Sequence, residues 1–182
     1  MRILLGMSGG VDSTAACKVL LARGYDVVGA TLLTCELSQK AVDEAVDLAA
    51  RFGIEHHVID VRERFKKTVI DPFVQSYLAG YTPNPCVDCN PTMKFKVLLE
   101  WADKLGCEMI ATGHYARIEC HDDRFFVRAG ADAKKDQSYF LWRLTQEQLS
   151  RTLFPLGEWT KDDARRHLQE SGLVEKANDG ES

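Results

Sequence analysis

The chain has 182 residues, 45% of them hydrophobic and 27% charged, with a formal net charge of −4. That length suits one domain with a sizeable core, and the charge excludes a generally basic nucleic-acid binder, leaving only a local basic patch for such a role. No run of about 18 apolar residues occurs, which excludes a membrane-spanning helix; Asp12 interrupts the short apolar run after Arg2, so no secretory leader and a cytoplasmic location are expected.

In chain order, "MRILLGM" reads as a buried strand. "STAACKVLLARG" places Ala15, Ala16, Val19 and Leu20 at helical spacing, with Gly24 as a stop. "YDVVGATLL" is a second strand. "SQKAVDEAVDLAARFG" is an amphipathic helix with Ser38 as N-cap and Val42, Ala45, Val46 and Ala49 as its apolar stripe. "EHHVIDV" is a third strand. "RERFKKTVIDPFVQSYLAG" reads as a helix with an irregular start, broken near Pro72, and "YTPNPCVDCNP", with three prolines and two asparagines, reads as irregular. "TMKFKVLLEWADKLG" is a helix and "CEMIATGH" the fourth strand. "YARIECHDDRFFVRAG" is a hairpin with a polar turn. A loop and a helix ending before Pro155 follow, and then "TKDDARRHLQESG", a helix capped by Thr160. The tail "LVEKANDGES" has no periodicity. Alternating strands and helices predict an α/β fold, a Rossmann-like parallel sheet sandwiched by helices with right-handed crossovers.

Six cysteines in a reducing compartment point away from a disulfide scaffold. Cys17, Cys35, Cys107 and Cys120 are scattered, whereas Cys86 and Cys89 form a C-x-x-C suited to metal, redox or nucleophile chemistry.

The first strand runs into Ser8-Gly9-Gly10-Val11-Asp12-Ser13 and then a helix. This geometry aims free backbone N–H groups at an anion, the glycines permitting close approach. Ser8, Ser13 and Thr14 are candidate hydroxyl donors, and Asp12 a candidate Mg²⁺ ligand. A phosphate loop of the G-x-x-x-x-G-K-S/T type needs a lysine that is missing, and G-x-G-x-x-G is also absent. A glycine turn with a capped helix and no ligand is the plain alternative. The stretch resembles the PP-loop, S-G-G-x-D-S, of ATP pyrophosphatases. That resemblance implies β- and γ-phosphates held here while a substrate oxygen attacks the α-phosphate. Ligands of open parallel sheets sit at the carboxyl ends of strands, which brings in Leu32 and Gly113.

Around the cysteine pair, Asn84 and Asn90 can hydrogen-bond a planar base or satisfy the loop itself. The pair can carry sulfur as a persulfide, ligate part of an iron–sulfur cluster, form half of a zinc site, or be unreactive. Lys134 and Lys135 stand beside Gln137, Ser138 and Tyr139, a mixture able to contact phosphate and sugar; the alternative is a solvated loop capping the next helix through Asp136. His114 stands just past a strand end, where it could orient a nucleotide, transfer a proton or simply pack.

"GMSGGVDS", "TPNPCVDCN", "MKF", "ATGHYAR", "KDQSYFLWRLTQEQL" and "FPLG" occur in an order that resembles the tRNA-specific 2-thiouridylases along nearly the whole chain. The resemblance implies adenylation of the C2 oxygen of the wobble uridine by ATP with Mg²⁺, and then delivery of sulfur from a cysteine persulfide or an iron–sulfur-bound sulfide. It implies ATP binding by Gly6, Met7, Ser8, Gly9, Gly10, Val11, Asp12, Ser13, Leu32 and Gly113. It places Asn84, Pro85 and Cys86 at the target base, makes Cys89 the nucleophile, and sets Lys135, Asp136 and Gln137 on tRNA. The implied partners are tRNA and a cysteine desulfurase or other sulfur donor; whether two chains pair as a homodimer to complete the site is left open by the sequence. Two departures stand out. Many members carry an acid at the position of Cys86, and the C-x-x-C version resembles a branch thought to hold a [4Fe–4S] cluster. The family's second catalytic cysteine, central domain and β-barrel lie beyond "NDGES". Residues 1–182 are therefore expected to form the PP-loop ATP-binding domain, with a hairpin and helical extension over about 115–182. The chain is expected to bind ATP but to thiolate poorly alone. Rival readings are a small-molecule adenylating enzyme and a sulfur-carrier module working with a partner chain.

Overall fold

The computed structural model describes residues 1–178; the last four residues of the aperiodic tail lie outside the described residues. The chain opens with β1 (Arg2–Gly6), α1 (Val11–Ala22), β2 (Asp26–Leu33), α2 (Gln39–Phe52) and β3 (His56–Asp60). Each α-helical crossover returns the chain to a parallel neighbour, as βαβ sterics demand. β4 (Met109–Ala111) then pairs with the other edge of β1. Among the described residues the main sheet has five strands, all parallel. Its fifth is β7 (Thr152–Leu153), and the order is β3-β2-β1-β4-β7. The direction of winding reverses between β1 and β4. The carboxyl ends of these two strands therefore diverge around a crevice, the usual ligand position in such sheets.

Side chains alternate across the sheet. Ile3 and Leu5 pack with Ala15, Ala16 and Leu20 of α1 and with Ala164 and Leu168 of α8 (Lys161–Glu170). Leu4, Val28 and Ile110 pack on the opposite face with Phe95, Leu98 and Ala102 of α6 (Phe95–Leu105). The expected helix–sheet–helix sandwich is thus present.

Several local expectations are corrected. Ser38 ends a 3-10 turn, Glu36–Ser38, and its hydroxyl donates to the Cys35 carbonyl at 2.6 Å, so it does not cap α2. On α2, Val46 is 41% exposed and Leu48 takes its place in the core. Pro72 does not break its helix: α3 (Arg62–Phe65) continues through a π-turn, Lys66–Ile70, into α4 (Asp71–Leu78). The wider turn absorbs a residue that cannot donate an i→i−4 bond. The same device makes "PCVDCNPTMKF" helical. Pro85 opens α5 (Pro85–Cys89), a π-turn spans Asn90–Lys94 around Pro91, and α6 follows without interruption.

The hairpin forms as expected. β5 (Ala116–His121) pairs antiparallel with β6 (Arg124–Ala129), and Asp122 and Asp123 both take positive φ, as a tight primed turn requires. After it comes a short helix, α7 (Gln146–Ser150), where a longer one was expected, and then β7, which was not anticipated. Thr160 caps α8 through a reciprocal bond with Asp163, and the tail begins with one helical turn, α9 (Val174–Ala177).

Candidate functional site

The loop from β1 to α1 is held open toward the crevice by close packing behind it. Gly9 has φ +76°, and a Cβ there would lie 2.8 Å from the Ala41 carbonyl oxygen. Gly113, just past β4, allows no side chain because a Cβ would lie 2.8 Å from the Asp12 carbonyl carbon. Gly10 precedes α1 in an extended conformation and no side chain caps the helix, so its first-turn N–H groups are left for a ligand. The Ser13 hydroxyl donates to the Gly10 carbonyl at 3.1 Å and accepts from the Ser8 N–H at 3.2 Å. Thr14 is not a ligand donor: it is fully buried and its hydroxyl donates to the Gly10 carbonyl at 2.8 Å. Met7 and Val11 are buried in the core, which leaves their backbones to serve the loop.

Asp12 is not free. Its Oδ1 accepts from Tyr115 Oη at 2.8 Å and from Lys161 Nζ at 2.7 Å. Lys161 itself is steered by Asp132, whose carboxylate accepts the Lys161 N–H at 2.9 Å. Burial and the Asp12 charge hold the Tyr115 hydroxyl in its protonated, donating form. Neither Lys161 nor Tyr115 was singled out in the sequence. One signal existed: a lysine in the first turn of a helix opposes the helix dipole and needs a local anion.

A cavity of about 470 Å³ extends from this loop. Gly6, Met7, Ser8, Asp12, Ser13, Leu32 and Gly113 line it from the sheet side, and Cys89 and Gln137 line it from the other. Lys94, Thr112 and His114 also line it; of these only His114 was considered from sequence. Gly9, Gly10, Val11, Asn84, Pro85, Cys86, Lys135 and Asp136 are not among the wall residues.

Cys89 reaches the wall because α5 is a helix. Asn84 starts it by accepting the Cys86 N–H at 3.2 Å, so that side chain serves the loop. Asn90 is buried and donates to the carbonyls of Cys86 at 3.0 Å and Phe140 at 2.9 Å, which commits it to structure and removes it as a base reader. Cys86 is exposed and Cys89 half-buried. Burial pushes the Cys89 thiol up, and the Lys94 ammonium pulls it back. Lys94 is itself held below the ordinary lysine value by desolvation. His114 is kept neutral by burial and by Lys94; its Nδ1 lies 2.7 Å from Thr112 Oγ1, and its ring sits between Phe95 and Phe154.

On the K-D-Q stretch, the Asp136 carboxylate accepts from the Gly130 and Ser138 N–H groups and the Ser138 hydroxyl, and so holds the turn. Gln137 Oε1 accepts the Tyr115 N–H at 3.1 Å. No group of three or more His, Cys, Asp or Glu side chains able to hold a metal is found among the described residues. Two thiols on one helical turn make half of a four-cysteine set, so these residues alone do not fit an iron–sulfur cluster or a structural zinc.

The whole chain, residues 1–182, matches the tRNA methyl transferase HUP domain. The chain belongs to this family. HUP-domain relatives include the tRNA-specific 2-thiouridylase MnmA 3 of Bacteroides fragilis, 52% identical over 181 residues, covering 100% of this chain and 49% of that protein. The tRNA-specific 2-thiouridylase MnmA of Treponema denticola is 49% identical, covering 96% and 50%. The chain spans about half the length of these curated relatives. Solved structures share the fold at low identity. The U34-tRNA thiolase NcsA of Methanococcus maripaludis, with its [4Fe–4S] cluster, superposes with TM-score 0.63 at 18% identity, covering 95% of this chain and 58% of that one. A 4-thiouridine synthetase–RNA complex with bound ATP gives TM-score 0.62 at 18% identity, covering 97% and 42%. Among the described residues no helix is long and apolar enough to cross a membrane.

Proposed function

We propose that this HUP domain performs the ATP-dependent half of tRNA 2-thiolation and carries the first sulfur-bearing thiol. The observation that supports it is the placement of a lysine-free phosphate loop and the Cys89 thiol on the walls of one cavity of about 470 Å³. Small-molecule adenylation needs no thiol there.

ATP enters as a substrate. The first-turn N–H groups of α1, that of Ser13 among them, and the Ser8 hydroxyl grip its β- and γ-phosphates. Asp12 is the residue that would hold Mg²⁺, which would neutralise charge on the bound phosphates. Lys161 fixes the Asp12 carboxylate and supplies the positive charge that the loop lacks. The C2 oxygen of the target uracil attacks the α-phosphate, forming a C2–O–P bond and expelling pyrophosphate. Cys89, charged as a persulfide by a cysteine desulfurase or similar donor, then presents its terminal sulfur to C2. Lys94 steadies the anionic sulfur before attack, and a C–S bond forms as the C–O bond to AMP breaks, leaving the base joined to Cys89 through S–S; a second thiol then attacks the Cys89 sulfur, breaking that S–S bond, forming a disulfide with Cys89 and releasing the thiolated base. The residues present do not complete a cluster site. The reaction is placed in the cytoplasm, where tRNA and sulfur donors meet.

Pyrophosphate release from ATP in the presence of tRNA tests the reading, with Asp12→Ala beside the parent. Release that depends on tRNA and falls in the variant supports it; ADP as the sole product overturns it.

A further inference from the structure

The segment from Gln137 to Arg143 leaves the cavity wall and crosses the thiol-bearing helix. It is pinned at three points: Gln137 lines the cavity, the Phe140 carbonyl accepts from Asn90, and Arg143 pairs with Asp88 between the two cysteines. Between these anchors Tyr139 and Trp142 are each 64% exposed. Tyr139 packs edge-on against Phe140 at 5.6 Å, and the Arg143 guanidinium lies 5.7 Å from the Trp142 ring centroid. Two large rings are thus displayed to solvent on a backbone that is already ordered, so a ligand stacking on them pays little for organising the surface.

We infer that Tyr139 and Trp142 form a stacking platform for the unpaired nucleotides that flank the base entering the cavity. The inference rests on the tRNA reading above. A base that enters the cavity must leave its own stack, and its neighbours lose a stacking partner in the same step. Exposed aromatic rings two and five positions along the chain from the cavity-lining Gln137 replace that partner without demanding a particular base. The platform is continuous with the cavity wall through Gln137, and its flat rings, one backed by a guanidinium, suit nucleobases better than an aliphatic docking face would.

The test is a binding titration of a dye-labelled anticodon stem–loop RNA against the parent chain, Tyr139→Ala, Trp142→Ala and Trp142→Phe. Loss of one stacked base corresponds to roughly tenfold weaker binding or more. The alanine variants should lose that much, Trp142→Phe should retain most of it, and ATP binding should be unchanged in all. Equal stem–loop binding by the parent and both alanine variants overturns the platform and leaves the tRNA reading standing. A fully paired duplex of the same length that binds as tightly also overturns it. A parent chain that binds no stem–loop overturns both. If the alanine variants bind RNA normally but accept persulfide sulfur from a desulfurase poorly, the rings serve a protein donor and the inference fails.

Discussion

Lys161 places its ammonium 2.7 Å from the carboxylate of Asp12, a residue 149 positions earlier in the chain. The pair is largely shielded, with 11% of the lysine side chain and 31% of the aspartate side chain exposed. α8 therefore delivers a lysine to the aspartate of the β1–α1 loop. Lys161→Met should weaken ATP binding by about tenfold, with a stability loss on the order of 1–3 kcal/mol from the abandoned carboxylate. Calorimetric titration with ATP and denaturant unfolding measure the two effects. Tyr115→Phe, which removes the other partner, should shift both in the same direction.

Gly113→Ala should collapse the cradle. The added methyl meets backbone atoms of Asp12 and Ser13 at 2.8–3.0 Å, and neither can swing aside as a side chain would. A cost of about 1–3 kcal/mol and loss of ATP binding are expected. Gly80→Ala is the contrasting case. It has φ +84° but nothing within 4 Å, so it should cost about 1 kcal/mol and leave ATP binding intact.

Lys94→Met should make Cys89 less reactive. The thiol is already pushed up by burial and Lys94 is what opposes it, so removing the cation lowers the thiolate fraction at neutral pH. Iodoacetamide labelling of Cys89, followed by peptide mass spectrometry across pH, should show a profile displaced to higher pH and a several-fold slower rate near neutrality. Cys17, pushed up to about 12 by burial, is an internal control that should stay unlabelled.

Acidification should destabilise the domain before its carboxylates titrate. Burial depresses the His114 pKa in the folded chain, so the unfolded chain binds more protons once the pH drops below about 6.5, the ordinary imidazole value. Stability is therefore full above that value and declines as pH falls from it toward the folded-state value. His56, depressed by burial and by His57, contributes with the same sign. Thermal unfolding between pH 7.5 and roughly 5 should show a falling midpoint, with a shallower slope in His114→Asn, which keeps a polar atom for Thr112 but cannot titrate.

Asn90→Ala should loosen the thiol helix from the segment that crosses it. One buried amide serves the carbonyls of Cys86 and Phe140, and alanine serves neither. About 1–3 kcal/mol of stability should be lost in denaturant unfolding.

The alternation of apolar strands with periodic helices made the first three strands and their crossovers readable, because each segment is long enough to display its period. Thr152–Leu153 was not readable: two residues cannot display a period, and their strand character comes from pairing with Ile110 and Ala111. The prolines at 72 and 91 misled because their penalty assumes regular i→i−4 bonding, which the π-turns relax. In the site, the loop Gly6–Ser13 was readable because its chemistry is contiguous. Tyr115 and Lys161 were not, because their roles exist only once β4, β5 and α8 bring them to Asp12. Lys94 reads as an ordinary helical lysine until the π-turn sets it on the cavity wall.

That π-turn has a wider consequence. Each residue of a regular helix advances the side-chain direction by roughly 100°, so an extra residue within one turn re-phases everything after it. Cys89 before the turn and Lys94 at its end both line the cavity, while Phe95 directly after it is fully buried in the core on the α6 face of the sheet. The widened turn acts as an angular coupler between two half-helices, one aimed by chemistry and one by packing. Removing a single residue from Asn90–Lys94 would leave the helix continuous yet rotate sulfur and core out of register with each other.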